Sequence, residues 1–264
     1  MGPGNKCRDD SLDVAMTVHS PAERENQTGA ARTLGVVTGL ASEAVVANAL
    51  LGGGEAPVAI ACAGASAERA RQHAQQLVEG GVAALMSFGI AGAVDPALNS
   101  GDLVIADDVL LDEFGNCDHF TCDRAWVAAL RAALDAARVP HHGGLLIGSQ
   151  RLWRDPADKQ AIHEITEAVA VDMESAAVAA VAAEAGLPFL AVRAVADTAR
   201  DCLPALAENA VKPDGMPAVG RAVAGLIRRP WDLPAMLKLA RQSELALARL
   251  RQLEEVREVL FGGF

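Results

Sequence analysis

One stretch of the chain, Ala168–Ala199, limits the possible fold more than any other. The apolar run Ala168–Val171 predicts a buried strand, the Ala- and Val-rich segment Ser175–Ala185 predicts a helix, and the apolar run Phe189–Ala196 predicts a second buried strand. This order is typical of a parallel β-α-β unit, whose two strands end at the same edge of the sheet. The stretch therefore predicts an α/β fold.

Two carboxyl groups follow the two predicted strands, Glu174 after the first and Asp197 after the second. Open α/β sheets bind ligands beyond the carboxyl ends of their strands. We therefore expect Glu174 and Asp197 to lie side by side in a ligand site.

Strands and helices alternate along most of the remaining chain. The further strands that we predict are Leu34–Thr38, Val58–Ala61, Ala83–Phe88, Leu103–Leu111 and Gly144–Ile147. The further helices are Ser42–Leu51, a helix capped by Ser66 that runs through Val78, Trp126–Ala137, Pro156–Thr166, Ala218–Ile227 and Ala235–Leu260. Residues 112–123 and 201–217 have the composition of loops. This alternation predicts a three-layer α/β fold with a mostly parallel, twisted central sheet flanked by helices.

Three segments divide the chain. Residues 1–31 are polar and without periodicity, which predicts a disordered extension. Residues 32–230 form the predicted α/β domain, and residues 231–264 a helix that packs on the domain, on a partner subunit or on a membrane surface. Leucines interrupted by basic residues are typical of a membrane-surface helix, but four glutamates in the same helix favour packing on protein.

Composition excludes several classes of function. The 264 residues carry a net charge of −11, which argues against general nucleic-acid binding. Five scattered cysteines favour reduced thiols in the cytoplasm, and the charged N-terminal region is unlike a signal peptide. Because Cys117, His119 and Cys122 fit no closed zinc site by their spacing, we expect no metal.

Three sequence motifs lie between Thr33 and Ala199. The segments VDMESAAVA and GLPFLAVRAVADTA, the glycine-rich segment SFGIAGAVDPALNSGDLVIAD and the segment GVVTGLASEA resemble the purine nucleoside phosphorylase and nucleosidase superfamily. The continuation RRPWDLPAMLKLARQ resembles the hopanoid-associated phosphorylase subgroup. That resemblance implies adenine release from adenosylhopane during hopanoid side-chain synthesis.

Cleavage of a purine N-ribosyl bond needs an acid for the leaving base, groups that hold the ribosyl hydroxyls, and a nucleophile. The resemblance implies that Asp197 is the acid, that Glu174 grips the ribose 2′- and 3′-hydroxyls, and that Glu43 positions the nucleophile. Burial at the end of a strand agrees with this role for Asp197, because desolvation raises a carboxyl pKa towards neutrality.

The other predicted substrate-binding residues surround these three carboxyls. The resemblance places Met173 against the sugar and Ser149 to Leu152 at the purine edge, and the glycine segment presents its backbone to the ligand. Arg193 either pairs with a carboxylate near the site or orients Asp197. Trp153 either stacks on the base or, as we expect, belongs to the core. The full set of predicted substrate-binding residues is Gly89, Ile90, Ala91, Gly92, Ser149, Leu152, Met173, Glu174 and Arg193.

The sequence favours water over phosphate as the acceptor. Residues 39–43 contain no arginine, and Ile90 stands where members of the superfamily often have Ser or Thr. Phosphate stays open as a co-substrate, and no bound cofactor is implied. The resemblance also implies a homo-oligomer. Because the implied substrate is apolar, a protein in peripheral contact with the inner membrane is an alternative to a purely cytoplasmic protein.

Two alternative functions stay open. One is a 5′-methylthioadenosine/S-adenosylhomocysteine nucleosidase, which needs a short pocket for its sulfur substituent. The other is a nucleoside-binding protein without catalysis, against which the presence of both Asp197 and Glu174 argues.

Overall fold

Nine strands form one mixed sheet in the computed structural model, which describes residues 32–51, 57–113 and 116–264. The strands are β1 (Leu34–Thr38), β2 (Val58–Cys62), β3 (Ala84–Ala93), β4 (Leu103–Ile105), β5 (Asp108–Glu113), β6 (Asn116–Thr121), β7 (Leu145–Gly148), β8 (Ala170–Asp172) and β9 (Phe189–Val195). The helices are α1 (Ala41–Leu51), α2 (Ala67–Glu79), α3 (Arg124–Ala136), α4 (Pro156–Thr166), α5 (Ser175–Ala185), α6 (Val219–Arg228), α7 (Leu233–Arg251) and α8 (Arg257–Gly262). The predicted N-terminal extension, residues 1–31, lies outside the described residues.

The sheet has the order β2-β1-β3-β8-β7-β5-β6, and β9 pairs with both β3 and β4. Five of these eight pairings are parallel. Helices α2 and α5 pack against each other and against the sheet, while α7 packs against β9, β3 and α1. The predicted α/β class, with a mostly parallel sheet flanked by helices, is confirmed.

Local signals place several elements correctly. The hydroxyl of Ser66 accepts a hydrogen bond from the backbone N–H of Arg69 and caps α2, as predicted. Asp123 and Asp155 cap α3 and α4 in the same way. Helix α5 covers the predicted residues, Ser175–Ala185, and ends at Gly186, whose φ of 64° is left-handed.

The prediction of a parallel β-α-β unit around α5 was wrong. Strand β9 runs parallel to β3, with Leu85 opposite Phe189, whereas β8 runs antiparallel to the far end of β3, with Gly92 opposite Val171. The two strands do not pair; both border β3, which is ten residues long. The ends of β8 and β9 lie close together because both strands pair with β3.

Three further boundaries differ from the prediction. Strand β3 continues through the glycine segment because the backbone there still pairs with β9 and β8. The predicted strand Leu103–Leu111 is two strands, since β4 pairs with β9 and β5 with β7 and β6. The predicted loop 112–123 contains β6, which forms a hairpin with β5.

The predicted C-terminal helix Ala235–Leu260 is interrupted. Helix α7 ends at Arg251, a short 3₁₀ turn follows at Gln252–Val256, and α8 completes the chain. Side chains from this region enter the main core, among them Leu247, Leu250, Leu253, Leu260 and Phe261. None of the helices in the described residues is long and apolar enough to cross a membrane.

Candidate functional site

A cavity of about 270 Å³ lies where β1, β3, β8 and β9 end. Four acidic residues line it, the three predicted carboxyls Glu43, Glu174 and Asp197 together with Asp172, although each is at most 7% exposed. The ends of β8 and β9 therefore do meet in one site, as we expected, although not by the predicted topology. An adjoining cavity of about 660 Å³ shares Met173 and Leu152 with it.

Backbone N–H groups fix the carboxylate of Glu43, which lies in the first turn of α1. Its Oε2 accepts hydrogen bonds from Gly39 and Leu40, and its Oε1 accepts one from Ile90, each at 2.8 Å. Burial raises the pKa of this carboxyl, while the positive charge of Arg193 and the three N–H groups oppose that rise. Glu43 thus ties the turn after β1 to the glycine segment in β3.

Glu174 precedes α5 and is the least satisfied of the three carboxyls. Its buried Oε1 has no hydrogen-bond partner among the described residues, and its Oε2 lies 4.0 Å from Nη2 of Arg193. Burial, followed by the negative charge of Asp172, raises the pKa of Glu174 to about 8. An unpaired carboxyl oxygen in a cavity wall is placed to bind a hydroxyl group of a ligand.

Arg193 does not orient Asp197, and it does not line the cavity. It is fully buried, and its Nε donates to Oδ2 of Asp172 at 2.5 Å. Its Nη2 donates to the hydroxyls of Ser87 at 2.6 Å and Ser175 at 3.0 Å. The prediction that Arg193 binds substrate is therefore corrected: it pairs with the buried carboxylate of Asp172, which lines the cavity, the first of the two alternatives.

Asp197 pairs with a residue that the sequence analysis did not single out. Nζ of Lys159, on α4, donates to Oδ2 of Asp197 at 2.5 Å. The same ammonium donates to the carbonyls of Thr198 at 2.9 Å and Asp201 at 3.3 Å, and Lys159 is fully buried. Burial raises the pKa of Asp197, and the Lys159 charge opposes that rise.

A glycine lies against each of the three carboxyls. A Cβ at Gly39 would come within 2.7 Å of the Glu174 carboxylate, and one at Gly89 within 2.6 Å of Glu43. A Cβ at Gly92 would come within 3.0 Å of Asp197. The glycines of this site therefore make room for buried carboxyls, and Gly89 lies behind Glu43 rather than in the cavity wall.

The structure brings most of the predicted site residues together. Those that line the cavity are Glu43, Ile90, Ala91, Gly92, Leu152, Met173, Glu174 and Asp197. Ser149 lies outside the cavity wall, where its hydroxyl accepts a hydrogen bond from the backbone of Arg151. Trp153 lines the cavity on one side and packs with Ile147 and Val171 on the other.

Two buried residues, Lys159 and Asp172, were missed as functional candidates. Asp172 accepts hydrogen bonds from the backbone N–H groups of Glu174 and Ser175 and from Arg193, so it organises the start of α5. The sequence feature that could have identified Asp172 as a candidate is its position directly after a predicted buried strand. Lys159 gave a weaker signal, because a single Lys on an amphipathic helix normally lies in solvent.

The described residues contain no group of three or more His, Cys, Asp or Glu side chains arranged to hold a metal ion. The side chain of Cys117, one of the residues weighed for zinc, lies outside the described part of the chain.

The mixed sheet and the carboxyl-lined cavity at its strand ends are typical of α/β proteins that bind a small ligand at one edge of the sheet. A family model described as the phosphorylase superfamily matches residues 15–229, and the chain belongs to that superfamily. The predicted superfamily resemblance is thereby confirmed.

Curated relatives and solved structures agree with this family. The 5′-methylthioadenosine/S-adenosylhomocysteine nucleosidase of Marinomonas sp. (strain MWYL1) is 34% identical over 130 residues, which span 44% of this chain and 56% of that protein. The chain thus matches little more than half the length of this curated relative. The structure of the Helicobacter pylori nucleosidase of the same name has a TM-score of 0.69 at 12% identity and covers 88% of this chain and 99% of that one. The futalosine hydrolase of the same organism has a TM-score of 0.68 at 13% identity, with coverages of 86% and 98%. At these identities the two structures show a shared fold.

Proposed function

We propose that this protein is an enzyme that cleaves the N-ribosyl bond of a purine nucleoside. The observation that carries the proposal is the convergence of Glu43, Glu174 and Asp197, three buried carboxyls in different surroundings, on one cavity. Carboxyl groups in different surroundings divide acid, binding and nucleophile-positioning roles between them. The names of the curated relatives support the same bond as the target.

Asp197 is the proposed acid that protonates the leaving purine. Its Oδ2 is held by Lys159, which leaves Oδ1 for the base. Burial favours the protonated form of Asp197 and Lys159 favours the ionised form. This balance suits a group that gives up a proton during the reaction and regains it afterwards.

Glu174 is the proposed ligand of the ribose hydroxyls, because its Oε1 has no other partner in the described residues. Met173 lines the same cavity and is proposed to pack against the sugar. Two hydroxyls that donate to one carboxylate stabilise its ionised form, so substrate binding is expected to lower the pKa of Glu174 from about 8.

Water is the proposed acceptor, positioned by Glu43. Among the described residues that line the cavity, Arg151 is the single cation, and its guanidinium lies 4.2 Å from the ring centre of Trp153. Phosphate binding normally uses several cationic or N–H donors, and the N–H groups nearest Glu43 already donate to Glu43 itself. Phosphorolysis remains the alternative that the experiment below decides.

An apolar group at the ribose 5′ position is the proposed specificity, with adenosylhopane as the substrate. The lining residues that follow Asp197 in the chain are Leu203, Ala207, Ala210, Val211, Leu239 and Ser243, none of which carries a charge. A small sulfur substituent, as in methylthioadenosine, would also fit an apolar wall, and the Marinomonas relative favours that second candidate. We further propose a cytoplasmic homo-oligomer.

The test is adenine release from adenosylhopane, methylthioadenosine and adenosine, each with and without phosphate. The proposal expects release without phosphate and the highest kcat/KM for adenosylhopane. Strict dependence on phosphate would overturn the role of water, and equal turnover of methylthioadenosine would overturn the hopanoid assignment. No release from any of the three would leave the alternative of a binding protein without catalysis.

A further inference from the structure

Helix α6 exposes an apolar face of unusual extent. Val219, Val223 and Ile227 follow at helical spacing, and Trp231 continues the row in the 3₁₀ turn Pro230–Asp232; all four are more than half exposed. We call these four residues the α6 face. None of the ten residues of α6 is buried, so this helix does not use its apolar residues to build the core. Contiguous exposed apolar surface of this kind marks an interaction site.

The charge beside the α6 face is positive in an otherwise acidic protein. Arg221, Arg228 and Arg229 are exposed, and Arg229 forms an ion pair with Asp232 at 3.4 Å, while no ion pair joins Arg221 or Arg228 to an acidic side chain among the described residues. From residue 211 to residue 251 there are eight basic and three acidic residues, whereas the whole chain has a net charge of −11. An apolar helix face with a terminal Trp and flanking arginines matches the interface of an anionic lipid bilayer.

Helix α6 packs on a segment that lines the cavity. The backbone N–H of Ala218, directly before α6, donates to the carbonyl of Ala210, which lines the cavity. Gly225 of α6 lies against Leu206 in the 3₁₀ turn Ala205–Asn209, whose Ala207 also lines the cavity. A helix resting on lipid at this point would bring the apolar mouth of the site to the membrane surface.

We propose that the α6 face docks the protein on anionic membranes, so that a purine nucleoside with a lipid-embedded 5′ group enters the cavity from the bilayer. The docking stands on the α6 face alone, and the entry of substrate rests on the proposed function.

The experiment is flotation of the full chain with vesicles of phosphatidylcholine alone and of phosphatidylcholine mixed with phosphatidylglycerol. We expect binding to the mixed vesicles, weakened by salt, and little binding to the neutral ones. Ile227→Glu should weaken binding about tenfold or more, since it places a charge in the face that contacts lipid in the proposed complex. Ile165→Glu is the matched control, because Ile165 on α4 is 79% exposed and Ile227 is 78% exposed.

Equal vesicle binding by the two variants, or no binding of the unmodified chain to either vesicle, would overturn the proposal. Light scattering provides a further check: a smaller assembly for Ile227→Glu without vesicle binding would assign the face to a second copy of the chain instead. Turnover of soluble methylthioadenosine should be the same in both variants. If the unmodified chain binds mixed vesicles and releases no adenine, the proposed function fails and the docking stands.

Discussion

At the scale of single residues, the site depends on how each buried carboxyl is paired. Glu43 is held by backbone N–H groups, Asp197 by Lys159, and Glu174 has an oxygen without a hydrogen-bond partner in the described part of the chain. The strand pattern indicated Glu174 and Asp197, which each follow a predicted strand, and the family resemblance indicated Glu43. It did not indicate the partners, since Lys159 lies 38 residues from Asp197 and pairs with it only through tertiary packing.

Replacement of Lys159 should move the pH dependence of catalysis. In Lys159→Met the positive charge that opposes protonation of Asp197 is lost, so the pKa of Asp197 rises further. The alkaline limb of the kcat–pH profile should shift upwards by about one unit or more. Lys159→Arg, which keeps the charge, should retain the original profile. A loss of activity without any shift would assign Lys159 a purely structural role.

Glu174 should make the folded protein less stable in alkaline solution. The folded state keeps a proton on Glu174 up to a pKa of about 8, whereas the unfolded chain releases it near 4.5. Between these values stability falls as pH rises, by at most about 1.4 kcal/mol per unit, and this loss levels off above pH 8. In Glu174→Gln that part of the pH dependence should disappear.

Urea unfolding of the unmodified chain and of Glu174→Gln at pH 6 and pH 8.5 measures this difference. The exposed Glu255, changed to Gln, is the control and should behave like the unmodified chain. Parallel pH dependence in all three proteins would contradict the raised pKa of Glu174.

At the scale of elements, most helices and strands follow from local patterns, while their pairing does not. Short-range sequence signals predict these elements: apolar runs predict β1, β3 and β9, and capping residues predict the starts of α2 and α4. Each of these signals lies within a few residues. The hairpin of β5 and β6 was missed because its residues are largely polar. The antiparallel contact of β8 with β3 was missed because two residue pairs near the end of a long strand leave no periodic signal.

Helix α7 should contribute strongly to stability through its second half. Leu250 is fully buried in the core, and Leu250→Ala should cost about 2–5 kcal/mol because it leaves a cavity. Leu245, on the same helix, is 56% exposed, and Leu245→Ala should change little. Chemical unfolding of the two variants tests this, and similar losses in both would contradict the packing of α7 on the sheet.

At the scale of the whole molecule, the cavity is assembled from segments far apart in the chain. Glu43, Ile90, Glu174 and Asp197 come from α1, β3 and the ends of β8 and β9. The family resemblance indicated these residues together, but the reason for their meeting is the length of β3, which borders both strands. The proposed binding region for the 5′ group depends on residues 203–239, where the sequence alone showed only an irregular loop and a helix.

The most direct test of the account is adenine release by the unmodified chain and by Asp197→Asn, with nucleoside binding measured on the same samples. The account predicts that the unmodified chain releases adenine and that Asp197→Asn binds the nucleoside but loses about 100-fold or more in kcat, because the acid is gone. Turnover by Asp197→Asn at the unmodified rate would contradict it.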